Sequence, residues 1–485
     1  MAFCPSQPRP GSLTANSSIQ TGASHGASET GQNRKKNKHP LNHAIVLPML
    51  AAALLLPASV RPQKPDPLPP DPSTVRVPEI KDHFLIDRLP EKPTVQPSTA
   101  IPVYPLDFAP PNPAYLGHRY VMASLDFLGE NHLLFTFRVP GLIRRVPGQP
   151  VDENEHQMRA VLLDLPSGTV QAQTLWTIHD RSPYIWPLND GHFLFRDRNL
   201  LSIGDANLQL KPFLRFPGPL LTVSLDPLQQ FLVTNSREPT AHPAASDDTS
   251  GNASDQSSSA DSGSDDEGSG AIPDLVLRIF HRSTGQVMDV SRIRTLVRLP
   301  VNSQGYLESL RGNGQTWVLQ MNYFKGGTAE IARIKSYCWP TLHFISDDEF
   351  LATACTSVGG FWLTAISTTG KLLWQDSTSG YTVWPILRTT ASGLRFLRET
   401  LAVRRQLSTI WGLDRDDIVA QRVRVFDAAT GNVALEATAD PVLDAGGNAA
   451  ISPSGRRVAI LSGGVIQIFN LPKPPPLPKA ATNPE

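Results

Sequence analysis

The sequence predicts an all-β chain: a β-propeller of seven four-stranded blades behind a long N-terminal stretch with little to bury. Three observations predict it. Between residues 120 and 470 one pattern recurs seven times: an apolar run, a short turn rich in Gly, Asp, Asn or Pro, and a second apolar run. After most copies comes a second hairpin in which Thr or Ser precedes Gly. Elsewhere apolar residues stand in short runs broken by Gly, Pro, Asp and Ser, the composition of many strands rather than long helices. Two hairpins per unit make a four-stranded antiparallel sheet, and radial packing of about seven such sheets leaves only short edges exposed.

Residues 1–43 are polar, rich in Ser, Gly, Thr and Asn, and are expected to be disordered because they bury too little to offset ordering entropy. They end in RKKNK (34–38), next to AIVLPMLAAALLLPASV (44–60), which carries no charge. Basic residues before an apolar run hold the N-terminus in the cytoplasm and send the downstream chain across. Residues 44–60 therefore read as an export signal or membrane anchor, with the body on the periplasmic or extracellular side of a cell envelope. Prolines recur through 61–113, as in RPQKPDPLPPDP (61–72), and predict a stiff extended spacer. Within it, DHFLID (82–87) and IPVYPLDF (101–108) are candidates for a strand that closes the ring.

The propeller is expected over 114–472. Its first hairpins are MASLDFLGENHLLFTF (122–137), IWPLNDGHFLF (185–195), TVSLDPLQQFLVT (222–234), LESLRGNGQTWVLQM (307–321), TLHFISDDEFLATA (341–354), ILRTTASGLRFL (386–397) and AAISPSGRRVAIL (449–461). Alternation on both sides of a tight turn is the hairpin signal. The second hairpins are clearest at VLLDLPSGTVQAQTL (161–175), LRIFHRSTGQVMDV (277–290), LTAISTTGKLLW (363–374) and VRVFDAATGNVAL (423–435), where Gly accepts the positive φ of the turn. The last unit supplies GVIQIFNLP (464–472) and runs into a proline-rich tail, 473–485, without a fourth strand. That vacancy is what an N-terminal strand would fill. The Ser-, Gly- and Asp-rich run 237–274 reads as a solvated loop inserted in a blade, and its DSGSDDEG (261–268) lacks EF-hand order.

AAISPSGRRVAILSGGVIQIFNL, FDAATGNVAL and ISTTGKLLW together resemble the bacterial WD40-like, YVTN and quinoprotein-like propeller superfamily. The resemblance spans about 350 residues and implies a fold rather than a reaction.

Composition and motifs narrow the chemistry. The 44 basic and 44 acidic residues balance, so charge makes no case for a nucleic-acid partner. There is no Walker loop, HExxH or CxxC, and the 12 histidines lack ligand spacing, so neither a metal nor a cofactor is predicted. GASHG (22–26) matches a nucleophile elbow only by letters, since it lies outside any strand–turn–helix context. Asp126, Asp190, Asp226, Asp347 and Asp348 fall in or just before first-hairpin turns, where Asp serves local hydrogen bonding. Beside them stands a polar loop candidate, His179, Asp180 and Arg181.

The recurring unusual feature is aromatic. Tyr184 and Trp186, Tyr337 and Trp339, and Tyr381 and Trp384 each precede a proline at the start of a first hairpin. They are expected either to wedge between blades or to ring a channel mouth that stacks on a ligand. Cys338 and Cys355 flank the fifth hairpin: they face directly if the turn centres on Ser346–Asp347 and lie diagonally if it centres on Asp347–Asp348. A disulfide and two buried thiols both remain open. The expected function is a cell-envelope binding or scaffolding module for a protein or small ligand. The alternatives are an enzyme on the same fold (hydrolase, lyase or quinoprotein-like oxidoreductase) and a degenerate propeller without activity.

Overall fold

The computed structural model describes residues 89–109, 122–140, 155–179, 184–238, 274–294, 296–357, 360–378, 382–405, 417–443 and 445–475. The N-terminal tail, the 44–60 segment, DHFLID, most of the inserted loop and the tail beyond residue 475 lie outside them.

Seven antiparallel sheets succeed one another along the chain. Blade 1 is Ala123–Phe127, His132–Arg138, His156–Asp164 and Val170–Ile178. Blade 2 is Ile185–Pro187, Phe193–Asp197, Leu200–Gly204 and Leu210–Arg215. Blade 3 is Leu220–Leu225, Phe231–Glu238, Asp274–His281 and Gln286–Ile293. Blade 4 shows three ladder strands, Gly305–Arg311, Thr316–Tyr323 and Thr328–Lys335. Blade 5 is Thr341–Phe344, Glu349–Cys355, Phe361–Ser367 and Leu372–Thr378. Blade 6 is Thr382–Thr389, Arg395–Val403, Ile418–Asp427 and Val433–Ala439. Blade 7 is Ala449–Ile451, Arg457–Ser462 and Val465–Asn470, with Thr99–Pro102 as its outermost strand. Inner strands of blades 1 and 2, 4 and 5, and 6 and 7 touch, and the first strand of blade 1 meets that of blade 7, so the sheets form a ring.

Burial tracks radius. In blade 1 the first two strands are buried on both faces, while the outermost, Val170–Ile178, is mostly exposed or half-buried. Phe135, Phe193, Phe350, Phe396, Phe426 and Phe469 are fully buried in second and third strands, each burial supplying about 1.5–3 kcal/mol of transfer free energy.

The Ser/Thr–Gly turns explain how neighbouring blades dock. Gly431, at φ +70°, sits against the Trp374 ring of blade 5, and a Cβ there would lie 2.6 Å from it. Trp374 stacks on Phe396 (6.0 Å between centroids, 4° between planes) and donates its indole N–H to Ala428 O at 2.6 Å. Only Gly gives both the left-handed φ and the missing side chain. Gly168 of blade 1 repeats the contact, with Ile101 of the Thr99–Pro102 strand 2.9 Å from its would-be Cβ. That strand pairs Thr99 with Ile468 and Ile101 with Ile466. The junction between blades 7 and 1 is therefore packed like the others, although its outer strand comes from the far end of the chain.

Blade 4 departs from the sequence expectation in register. LESLRGNGQTWVLQM, read as a first hairpin, forms the second and third strands of its blade. The innermost position is taken by 297–301, where Leu307 N donates to Pro300 O at 3.0 Å and Val301 bridges Tyr306. Pro300 offers no N–H, so the segment makes too few bonds to form a regular strand. Leu299 and Val301 nevertheless pack against Phe231 and Ile279 of blade 3, as an innermost strand should.

Candidate functional site

The first-hairpin turns gather at one rim of the ring. Ser454 of blade 7 donates its N–H (2.6 Å) and Oγ (2.8 Å) to the Glu130 carboxylate of blade 1. Asn189 N of blade 2 donates to Gln229 Oε1 of blade 3 at 2.7 Å, and Asn302 Nδ2 of blade 4 donates to Asp347 O of blade 5 at 2.8 Å. Here Asp226 caps its own turn, accepting from Phe231 N at 2.6 Å and Leu228 N at 3.1 Å. Burial pushes its carboxyl up to about 6, against those bonds and with the Asp347 charge adding to the rise. Asp347 accepts from the Ser303 hydroxyl and from Ser303 N. These carboxylates work as turn and junction acceptors.

A different cluster lies on the inner strands where the ring closes. The first strand of blade 7 has only three residues, and Arg388 of blade 6 reaches past it to blade 1. Its Nη1 donates to Asp126 Oδ1 at 2.9 Å and to Leu125 O at 3.2 Å. Its Nε lies 3.6 Å from Glu399 Oε1. Asp126 also accepts from the Ser124 hydroxyl, and Glu399 accepts from Gln421 Nε2 at 2.7 Å. Gln421 Oε1 in turn takes Leu443 N at 2.8 Å and Asn448 Nδ2 at 2.9 Å, which ties blade 6 to the loop leading into blade 7. Burial raises both carboxyls, Asp126 and Glu399, against the lowering pull of Arg388. Arg388 itself, held between two carboxylates, is raised further from deprotonation despite its own burial. A small cavity lies among Ser124, Asp126, Tyr184, Arg388 and residues 445–447. Asp126 and Arg388, two groups of opposite sign beside a void, can bind and orient a small polar group.

The predicted aromatic positions separate. Tyr184 is buried and bonds Thr136 Oγ1 at 2.7 Å, lining the cavity with its ring; burial pushes its phenol up. Trp186 is half-buried against the cluster shared by blades 2 and 3. Tyr337 (53% exposed) and Trp339 (51%) stand on the surface at the lead-in to blade 5. The backbone of Trp384 lies in the first strand of blade 6, whose pairing shifts between Val383 and Ile386, where Pro385 cannot donate to the ladder. Tyr381, the Trp384 side chain, Asp180 and Arg181 lie outside the described residues. His179 Nδ1 sits 3.1 Å from both oxygens of Asp197, whose Oδ1 also accepts His179 N at 3.0 Å.

Cys338 and Cys355 are joined by a disulfide with Cα atoms 5.5 Å apart. Thr341 pairs with Thr353 and Phe344 with Phe350, so the turn centres on Asp347, between the two registers considered from sequence. Ser336 knots the same corner: its Oγ donates to Cys338 O at 2.7 Å and accepts from Cys355 N at 3.0 Å. Trp317 donates its indole N–H to Ser336 O at 3.1 Å, and its buried ring meets Trp339 with centroids 5.2 Å apart. Tyr337 and Trp339 thus form a stiff, half-exposed aromatic ledge on either side of a disulfide.

Sequence reasoning singled out Tyr184 and noted Asp126 as a turn residue, but missed Arg388, Glu399, Gln421 and Asn448. The available signal was charge inside apolar strands: Arg388, Arg398 and Glu399 interrupt ILRTTASGLRFLRET (386–400). Among the described residues no group of three or more His, Cys, Asp or Glu is placed to hold a metal ion.

Seven radially arranged antiparallel sheets, docked through repeated glycine turns, decide the fold. The chain is a β-propeller of seven blades. No family model matches it, and no curated protein matches it. Among solved structures, the propeller is similar to a chain of a mitotic checkpoint complex at 10% identity, covering 81% of this chain and 99% of that one, with a TM-score of 0.41. It is also similar to the WD40 β-propeller domain of Doa1, at 9% identity, 78% and 97% coverage and a TM-score of 0.38. Acylaminoacyl peptidase of Pyrococcus horikoshii matches at 9% identity over 72% of this chain and 52% of that one, with a TM-score of 0.40. Likenesses at this level concern the fold alone.

Proposed function

We propose that this propeller is a binding or scaffolding module of the cell envelope whose partner is a protein. The observation that carries the reading is the ledge of Tyr337 and Trp339. Two large aromatic rings, half exposed and held by a disulfide and by Trp317, offer apolar contact at little entropy cost, as interface anchors do. The disulfide also suits an oxidising compartment, in keeping with export directed by residues 34–60.

The test is capture from envelope extract with the folded body as bait, compared with Tyr337→Ala and Trp339→Ala. A partner retained by the parent protein and lost by both variants is the expected result. Identical capture by all three removes the ledge from the reading.

A second reading, a small-ligand site or an enzyme at the channel mouth, is favoured by Asp126, Arg388 and Glu399. Asp126 and Arg388 line a void there and Glu399 stands 3.6 Å from Arg388, whereas an apolar scaffold surface would have no use for these charges. Comparing catalytic or ligand-binding readouts of the parent and Arg388 variants would separate it from the first.

A further inference from the structure

The cavity at the ring closure has a definite size, charge and set of open valences. Its volume is about 40 Å³. In this measure a water-sized group takes about 10–15 Å³, so about three non-hydrogen atoms fit. Ser124, Asp126, Tyr184, Ile185, Arg388 and residues 445–447 form the walls. Arg388 is half-buried, with 27% of its side chain exposed.

The polar partners have capacity to spare. Arg388 has five N–H groups, of which Nη1 serves Asp126 and Leu125; Nε stands 3.6 Å from Glu399, and Nη2 has no hydrogen bond among the described residues. Each Asp126 oxygen accepts one bond, Oδ1 from Arg388 and Oδ2 from Ser124, and retains a second lone pair. Arg388 and Asp126 both line the cavity and are bonded to each other, so a residue with open donors stands beside one with open acceptors.

Charge then selects among ligands. An anion would meet Asp126 in the wall, with Glu399 adding its charge from behind Gly446, and the two outweigh the single guanidinium. A cation would meet Arg388 at close range. An apolar group would strand the open valences, which is costly in a buried site. What fits is a neutral group of three non-hydrogen atoms that accepts on one side and donates on the other.

We propose that this cavity binds a primary carboxamide, its oxygen accepting from Arg388 and its NH₂ donating to Asp126. The amide belongs either to a free small molecule or to an Asn or Gln side chain. The site is separate from the Tyr337–Trp339 ledge, so failure of either reading leaves the other intact.

Three probes of nearly one shape and different charge test it: acetamide, acetate and acetamidinium. Binding to the full chain is monitored by saturation-transfer NMR. Acetamide is expected to bind, and Ala445→Leu, which fills the void without replacing a charged group, should weaken it at least about tenfold, the equivalent of one lost hydrogen-bonded group. Acetate and acetamidinium should bind at least about tenfold more weakly than acetamide. A second variant guards against misfolding of the first. Glu399→Gln removes one negative charge beyond the cavity wall and should shift selectivity towards acetate. A pentapeptide with one Gln among glycines separates the sources: tighter binding than acetamide identifies a side chain, weaker binding a free amide. Equal binding of the three probes, or acetamide binding untouched by Ala445→Leu, or unchanged selectivity in Glu399→Gln, overturns the assignment.

Discussion

The ring closure and the lead-in to blade 5 hold neighbouring strands together in opposite ways. At the closure, Arg388 and Asp126 are 262 positions apart in sequence and meet by a charge-assisted bond across a three-residue strand. At blade 5, Cys338 and Cys355 are 17 positions apart and joined covalently within one hairpin. The first arrangement joins the ends of the ring, so its loss should be felt by the whole fold. The second stiffens one corner and presents two aromatic rings, so its loss should be local in structure. Long-range polar closure suits a place where the inner strand is too short to supply backbone bonds, and a local staple suits a place that must hold surface side chains still.

Breaking the closure should have the largest effect. Arg388→Met leaves Asp126 and Glu399 buried without their cation, and removing one partner of a buried ion pair costs about 3–5 kcal/mol. Urea unfolding of the folded body measures it. Adding Asp126→Asn to Arg388→Met should recover part of the loss, because the orphaned charge goes with it. A double variant no more stable than the single one would show that the two residues are not energetically coupled.

Opening the staple should come next. A loop of 17 residues constrains the unfolded chain by about 3 kcal/mol in the chain-entropy model. Cys355→Ser should lower stability by that order, and the parent protein in reductant should unfold with the same midpoint as Cys355→Ser without it. Partner capture through the ledge should weaken in both, while acetamide binding at the closure should not change. A parallel loss at both sites would erase the distinction between them.

How much of this was legible depended on sequence distance. The hairpins were readable because each is local: turn, alternation and glycine lie within about a dozen residues. The Ser/Thr–Gly turns were visible, but the reason Gly431 must be Gly is the Trp374 ring of the preceding blade, 57 positions away. Blade 4 was misregistered because Arg298 and Pro300 break the alternation of its innermost strand, and the next hairpin, with its clean GNGQ turn, looked like the first. The cysteine pair was visible as a possibility, yet its geometry turned on a half-step of hairpin register. Arg388, Glu399 and Gln421 were invisible as a site, since nothing in the blade 6 sequence points to Asp126 at the start of blade 1.

The smallest effect is the proton-linked one, and it compares two ionisable groups, one on the rim and one on the inner strands. Asp226 titrates at about 6 in the folded chain against an ordinary 3.8, because burial disfavours its charge. Between about pH 4 and 6 the folded chain keeps that proton while the unfolded chain has released it, so Asp226 makes stability fall as pH rises through this window. His343 is pushed from 6.5 down to about 4 by burial, with Arg298 adding to the fall. Over about pH 4 to 6.5 the unfolded chain binds the proton and the folded chain does not, so His343 makes stability rise with pH. The two slopes oppose one another in the parent protein. Asp226→Asn should therefore steepen the rise in urea midpoint between pH 4 and 6, and His343→Gln should turn it towards a fall. If both variants keep the parent slope, neither group titrates differently on folding, and the rim carboxylates are solvated rather than buried acceptors.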